Sequence, residues 1–498
     1  MSDATQQSQL SIDQRELVAS IPRDLYYSGG WHAAAEGART EVWSPSTGQS
    51  LGKVAWAGAE DVDRAVRAAH AAFFQWRDVK PLERAKILRE VAALLRRHGR
   101  ELALIDAADC GNPIAEMIND SAIGAASVEY FAGLVSEVRG STIPMGPGVL
   151  NYTLREPLGV IARINAFNHP LLFAAMRTGA PLATGNTLIV KPPEQAPLSS
   201  LRFAELVGPL FPPGVLSVLP GGRECGAALT AHPLIAKVGL IGSVPTGKAI
   251  MRASSDSLKK VALELGGKNA LIAYPDASPD KVAAGIIRGM NFTWCGQSCG
   301  STSRAFVHEA IHDAVLERVV TAAHAIKPGI PTEQSTAMGS LISKDQFDKV
   351  MRYIGYGVED GARLAVGGRP PQDPHLSKGF FIEPTIFADV TPKMRIAREE
   401  IFGPVLCVFR WSDEAEMLRA VNDVEYGLTA SIWTRDLATA HRTAARIEAG
   451  YIWINSSSAH YLAAPFGGYK QSGVGREESI EELMDATQIK NVHVEFDA

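Results

Sequence analysis

Gly159-Val160-Ile161-Ala162-Arg163-Ile164 is the first of four similar segments, followed by Thr187-Leu188-Ile189-Val190, Leu216-Ser217-Val218-Leu219 and Lys237-Val238-Gly239-Leu240-Ile241. Each is a short β-rich run that meets proline or glycine and then a helical pattern. Strands alternating with helices in this way predict βαβ units and a parallel sheet. Downstream of Glu264 the same style returns at 269–273, 305–307, 406–409, 430–433 and 451–455, which predicts a second α/β unit. Upstream, apolar residues recur at spacings of three and four (Val62, Ala65, Val66, Ala69, then Ile87, Val91, Leu94, Leu95), so two amphipathic helices are expected between 61 and 100. Two pieces fit neither sheet. Residues 147–155 and 488–494 both alternate apolar with polar and are expected to pair as an exposed arm.

Composition narrows the classes of function. The chain has 498 residues, 46% of them hydrophobic and 21% charged, enough for two or three domains around large cores. A net charge of −5 provides no basic field for nucleic acid or anionic lipid, so neither is an expected partner. Five cysteines (Cys110, Cys225, Cys295, Cys299, Cys407) without C-x-x-C spacing suggest neither a disulfide framework nor a structural zinc site, as in a reducing cytosol. The polar segment 1–14 lacks secretory or transit character and is expected to be a tail. Apolar runs such as 170–175 are soon broken and fall short of the roughly 20 residues a membrane span needs.

Three short motifs mislead when taken singly. Gly242-Ser243-Val244-Pro245-Thr246-Gly247-Lys248 follows a strand as a P-loop does, but Ala249 replaces the hydroxyl that would hold magnesium. Its backbone N–H groups and helix start still suit a pyrophosphate. His308-Glu309-Ala310-Ile311-His312 matches H-E-x-x-H, yet His308 directly follows a strand and no third ligand motif appears, so two partly exposed histidines at a helix entrance are expected. Gly296-Gln297-Ser298-Cys299-Gly300 satisfies G-x-S-x-G, but helical spacing precedes it and a strand follows, the reverse of a nucleophile elbow. Within that same loop, a thiol between small residues can attack a carbonyl, which makes Cys299 the candidate nucleophile.

Joined with Glu264-Leu265-Gly266-Gly267-Lys268, Lys191-Pro192-Pro193-Glu194, Glu400-Ile401-Phe402-Gly403-Pro404 and Pro465-Phe466-Gly467-Gly468-Tyr469-Lys470, the Cys299 loop closely resembles the aldehyde dehydrogenase superfamily. The resemblance runs from Ser44-Pro45 to the C-terminal strand, with the motifs in family order and 35 residues from Glu264 to Cys299. It implies an α/β aldehyde dehydrogenase fold: a Rossmann-like dinucleotide-binding domain (1–135 and 156–264), an α/β catalytic domain (265–479) and a β-arm for oligomerisation (136–155 and 480–498). It implies oxidation of a small-molecule aldehyde to its acid through a thiohemiacetal and a thioester on Cys299, in a cytoplasmic homodimer or homotetramer. Asn168 would donate to the oxyanion beside the Cys299 backbone N–H, and Glu264 would be the base that activates water for deacylation.

For the cofactor, the resemblance assigns Lys191 and Glu194 to the adenosine ribose, where a carboxylate accepts from the 2′-hydroxyl and repels a 2′-phosphate. NAD is therefore expected, with NADP left open. Gly242, Ser243 and Gly247 would meet the pyrophosphate, Glu400 the nicotinamide ribose, and Phe402 the ring, with Ile164 and Leu265 beside the cofactor. No metal site is implied. Departures from the family pattern are Phe167 and His169 around Asn168, where tryptophan and another aromatic are usual, and Val244 where threonine is common. His169, Met176, Trp294, Ser298, Tyr461 and Leu462 fall near the substrate tunnel and suggest an apolar or aromatic aldehyde. The alternatives are a catalytically idle binding or scaffold homologue, and a zinc hydrolase using His308 and His312, which chelation would inactivate.

Overall fold

The computed structural model describes residues 12–496. The expected N-terminal tail is helical from Ile12 onward, in the helix Ile12–Ser20, and its residues 1–11 lie outside the described residues.

An eight-stranded sheet runs in the order Gly30–His32, Leu25–Tyr27, Leu216–Val218, Thr187–Lys191, Val160–Ile164, Ile235–Ile241, Lys260–Glu264, Gly473–Val474. Its five central strands are parallel, and the additions at both edges are antiparallel. Alternate residues of one strand face opposite layers. Val160, Ala162 and Ile189 pack with Val62, Ala65 and Ala69 of the helix Ala59–Arg77, whereas Ile161, Leu188 and Val190 pack with Leu171 and Ala174 of the helix Pro170–Ala183. Covering both faces removes the need for polar alternation, which is why these strands read as continuous apolar runs.

Strand order reverses between Val160–Ile164 and Ile235–Ile241, since successive strands stack outward from this pair on either side. Such a switch point leaves a crevice beyond the carboxyl ends of the strands. Asn168 and the Gly242-Ser243 turn follow those two ends.

The second sheet, of seven strands, runs Arg363–Val366, Thr385–Ala388, Val405–Trp411, Arg304–His308, Ala270–Ala273, Thr429–Trp433, Tyr451–Ile454. All its pairs are parallel except the first. A third sheet pairs Thr487–Glu495 antiparallel with Val149–Pro157, which also carries Thr142–Ile143.

Two segments sit elsewhere than their sequence assignment. Gly473–Val474, expected within the catalytic unit that ended at 479, pairs with Leu263 and Glu264 and so extends the first sheet. Gly473 has φ +146° and a side chain there would strike the Leu263 carbonyl, so glycine is what lets the backbones approach. The helix Ile480–Asp485, expected to begin the arm, packs against Pro170–Ala183 and buries Glu482. A buried carboxylate needs cations, and here they are Arg163 on the strand Val160–Ile164 and Arg177 on the helix Pro170–Ala183.

Candidate active site

Cys299 follows the helix Pro279–Gly289 and the turn Phe292–Trp294. The chain there bends sharply: Asn291 (φ 55°), Cys295 (φ 53°) and Gly296 (φ 65°) are all left-handed. Gly296 presses against the Gly403 carbonyl, where any Cβ would overlap. Asn269 clamps the loop. Its Nδ2 donates to the carbonyls of Cys299 (2.6 Å) and Ser301 (3.0 Å), while its Oδ1 accepts from the Thr429 N–H at 3.0 Å. Neighbouring Cys295 is buried, with its thiol directed at the Gly339 carbonyl.

Glu264 ends the strand Lys260–Glu264, where its carbonyl accepts from Gly242 N–H (3.0 Å), and Leu265 N–H is fixed by Ser472 (2.9 Å). Its carboxyl is buried and lines the same cavity as the Cys299 thiol, while Oε1 has no partner among the described residues. Burial, and then the charge of Glu477, hold the Glu264 carboxyl well above the usual carboxylate range against the pull of Arg177. Burial also pushes the Cys299 thiol up, and the Glu264 charge adds to it.

Behind Glu264 lies a buried ion cluster. Arg163 meets Glu477 (2.8 Å) and Glu482 (2.9 Å), and Arg177 meets Glu477 (2.6 Å) and Glu482 (3.5 Å). The four side chains are between 1% and 6% exposed, so two cations balance two anions out of water.

Cys299, Glu264 and Asn168 line one cavity of about 510 Å³ together with His169, Met176, Trp294, Ser298 and Leu462. The Asn168 carbonyl is held by Asn112 Nδ2 at 2.7 Å, and its side-chain oxygen has no partner among the described residues. Tyr461, expected in this lining, is 67% exposed and outside it, because the chain turns its neighbours His460 and Leu462 inward instead. The lining is less apolar than its sequence suggested, since Glu116, Asp120, Arg177, His460 and Glu478 contribute to it.

On the other side of the Cys299 loop, Ser298, Glu400 and Phe402 share a small recess. Glu400 accepts from Gly267 N–H at 3.0 Å, and burial raises its carboxyl. Phe402 is left-handed (φ 57°), a costly conformation for a bulky residue, and packs edge-to-face on Phe167 at 5.7 Å. Ile164 and Lys191 end adjacent strands in register. Among the described residues, buried Lys191 has only the Pro192 carbonyl at 3.3 Å and Glu194 at 4.0 Å as partners, and burial lowers its ammonium. A buried cation so poorly compensated fits an oxygen-rich ligand such as a ribose. Ser243 caps the helix Val244–Ser255, accepting from Thr246 N–H at 3.4 Å, and Gly247 lies in its first turn, leaving N–H groups and the helix dipole for a diphosphate. These residues fit a dinucleotide.

The H-E-x-x-H pair is arranged otherwise than expected in one respect. His308 caps the helix Glu309–Ala325 through Nδ1 and stacks edge-on to Trp411 (4.6 Å), but His312 is buried, with Nδ1 on Asp313 at 2.9 Å, because its face of the helix turns to the core. Among the described residues, no group of three or more His, Cys, Asp or Glu side chains is arranged to hold a metal ion. Asn112, Asp120, Asn269 and the cluster of Arg163, Arg177, Glu477 and Glu482 went unnoticed in the sequence. No local motif marks them, and their partners lie tens to hundreds of residues away.

A thiol and a buried carboxyl lining one cavity beside a dinucleotide-compatible switch point define a site for covalent oxidation of a carbonyl. A model of the aldehyde dehydrogenase family matches residues 31–492. The chain is 53% identical over 487 residues to aldehyde dehydrogenase tropH of Talaromyces stipitatus, covering 96% of this chain and 94% of that protein. It is 42% identical over 478 residues to betaine aldehyde dehydrogenase of Brucella anthropi, covering 95% and 98%. The structure of an aldehyde dehydrogenase from Bacillus cereus in complex with NAD+ superposes with a TM-score of 0.94 at 39% identity, covering 98% of this chain and 99% of that one. This chain belongs to the aldehyde dehydrogenase family, has its fold, and oxidises an aldehyde with NAD. No helix among the described residues is long and apolar enough to cross a membrane.

Proposed function

We propose that Cys299 is the nucleophile, Asn168 and the Cys299 backbone N–H the oxyanion donors, and Glu264 the base of deacylation. The observation that carries this reading is that the buried Glu264 carboxyl and the Cys299 thiol line one cavity together with Asn168. Attack by the Cys299 sulfur on the aldehyde carbon gives a thiohemiacetal whose negative oxygen is met by those two donors; removing one such donor costs about 2.7 to 4 kcal/mol of barrier. Bound NAD supplies the acceptor for the hydride that leaves this carbon. Cys299 is then a thioester, and the carboxylate of Glu264, in the wall of the same cavity, takes a proton from the attacking water. The acid departs and the thiol is restored.

Lys191, Glu194, Gly242, Ser243, Gly247, Ile164, Leu265, Glu400 and Phe402 hold the cofactor, and the carboxylate of Glu194 favours NAD over NADP. The substrate is an apolar or aromatic aldehyde, supported by Met176, Trp294, Phe173 and Leu462 in the lining. Exposed Ile143, Leu150, Leu154, Ile489 and Phe496 on or beside the three-stranded sheet support assembly through that arm into a homodimer or homotetramer, in the cytoplasm. The test is nicotinamide reduction with a panel of aliphatic and aromatic aldehydes, with Cys299→Ala alongside. Turnover that vanishes in the variant supports the assignment; turnover that survives it refutes Cys299 as the nucleophile.

A further inference from the structure

One buried pair in the cavity wall takes no part in the chemistry above. His169 directly follows Asn168 and lines the cavity, and its Nδ1 lies 2.7 Å from Asp120 Oδ2. Both residues are buried, His169 at 7% exposure and Asp120 at 3%. The imidazole plane is set by edge-to-face contacts with Trp294 (4.7 Å) and Phe173 (5.5 Å). Burial disfavours the imidazolium, but the charge and hydrogen bond of Asp120, followed by Asp106 and Glu116, outweigh it and raise the His169 pKa. With Nδ1 committed to Asp120, Nε2 is the nitrogen left for a molecule in the cavity, and in the protonated ring it is a donor.

The other basic side chains in the lining are already engaged. Arg177 is held by Glu477 and Glu482, and His460 faces Glu478 at 3.5 Å. A hydrocarbon substrate would cover the His169 N–H without pairing it, whereas an oxygen acceptor would satisfy it, and a site built this way discriminates against the analogue that lacks the acceptor.

We propose that the His169–Asp120 pair is a substrate-recognition element that selects aldehydes carrying a second oxygen function, a carboxylate, hydroxyl or carbonyl, away from the reacting carbon. The inference deepens the functional reading above and rests on its assignment of this cavity to the substrate. It also replaces a purely hydrocarbon preference with one for an aromatic or apolar body bearing an acceptor.

Two matched pairs of aldehydes test it with the purified full-length enzyme and NAD. Para-carboxybenzaldehyde is compared with para-isopropylbenzaldehyde, and glutaric semialdehyde with its isopropyl-ended isostere. The oxygenated member of at least one pair is expected to have a kcat/KM about tenfold or more higher. In His169→Phe, which keeps an aromatic ring against Trp294, that ratio is expected to fall to within about twofold of unity, chiefly through the KM of the oxygenated member. Asp120→Asn, which keeps an acceptor for Nδ1 but removes the charge, is expected to lie between. A ratio near unity in the wild type overturns the proposal, as does a preference that both variants retain. The hydrocarbon member reports folding of each variant, and the wild-type ratio tests the proposal even if a variant fails to fold. Absence of nicotinamide reduction with all four compounds would remove the assignment of this cavity and the inference with it, a result distinct from turnover without preference.

Discussion

On the role proposed for Glu264, its replacement by glutamine is expected to separate the two halves of the reaction. The substitution preserves shape in a buried site and removes the acceptor that deacylation needs, and a positioned general base contributes about 10² to 10⁴ in rate, or roughly 3 to 5 kcal/mol of barrier. Acylation is affected differently. Burial first and the charge of Glu264 second push the Cys299 thiol up, so glutamine, which removes that charge, makes the thiolate easier to form. Rapid mixing with NAD and aldehyde is therefore expected to show a burst of nicotinamide reduction close to one per active site, followed by a steady state slowed by about 10² or more. The pH profile supplies an independent sign. The proposed base must be ionised for deacylation, and burial first and Glu477 second hold the Glu264 carboxyl well above the usual range, so wild-type turnover is expected to fall as pH drops through that raised value. In Glu264→Gln this limb disappears. Loss of the burst together with the steady state, while Cys299 still reacts with alkylating agents, would refute the role; so would a steady state within tenfold of wild type.

Other consequences are checked more simply. Glu482→Gln leaves two buried arginines facing one carboxylate and is expected to destabilise the fold by about 3 to 5 kcal/mol in denaturant titration, against less than about 1 kcal/mol if the cluster is well hydrated. Glu194→Gln removes a charge from a half-exposed carboxylate and is expected to raise the NADP-to-NAD ratio of kcat/KM by about tenfold; an unchanged ratio would locate the discrimination elsewhere. Gly473→Val forces a side chain onto the Leu263 carbonyl at a φ that glycine alone tolerates, costing about 1 to 3 kcal/mol, and is expected to lower activity by disturbing Glu264, its paired neighbour, with near-wild-type turnover as the contrary result.

Much of this molecule is legible along the chain, for local reasons. Continuous apolar runs announced Val160–Ile164 and Thr187–Lys191 because both faces of these strands are covered, and the alternating segments within Val149–Pro157 and Thr487–Glu495 pair as one ribbon because each has a wet side. Cys299 and Glu264 drew attention through the glycines beside them, whereas Asn168, in a run without glycine, was reached only through the family resemblance. Tyr461 was misassigned because one residue of register decides whether a loop side chain points inward. His312 was misjudged because the helix Glu309–Ala325 turns that face to the core.

What the chain order could not convey is which distant groups share a buried volume. Asn112 holds Asn168 across 56 positions, Asp120 meets His169 across 49, and Arg163 meets Glu482 across 319. These contacts arise where helices and strands converge, and they matter because a charge or donor removed from water must be compensated by whatever the fold brings beside it. Residue types and spacing specify the strands, the turns and the reacting groups, which depend on nearest neighbours. The protonation of Glu264 and the polarity of the substrate wall depend on burial and long-range pairing, which exist only once the sheets have closed around them.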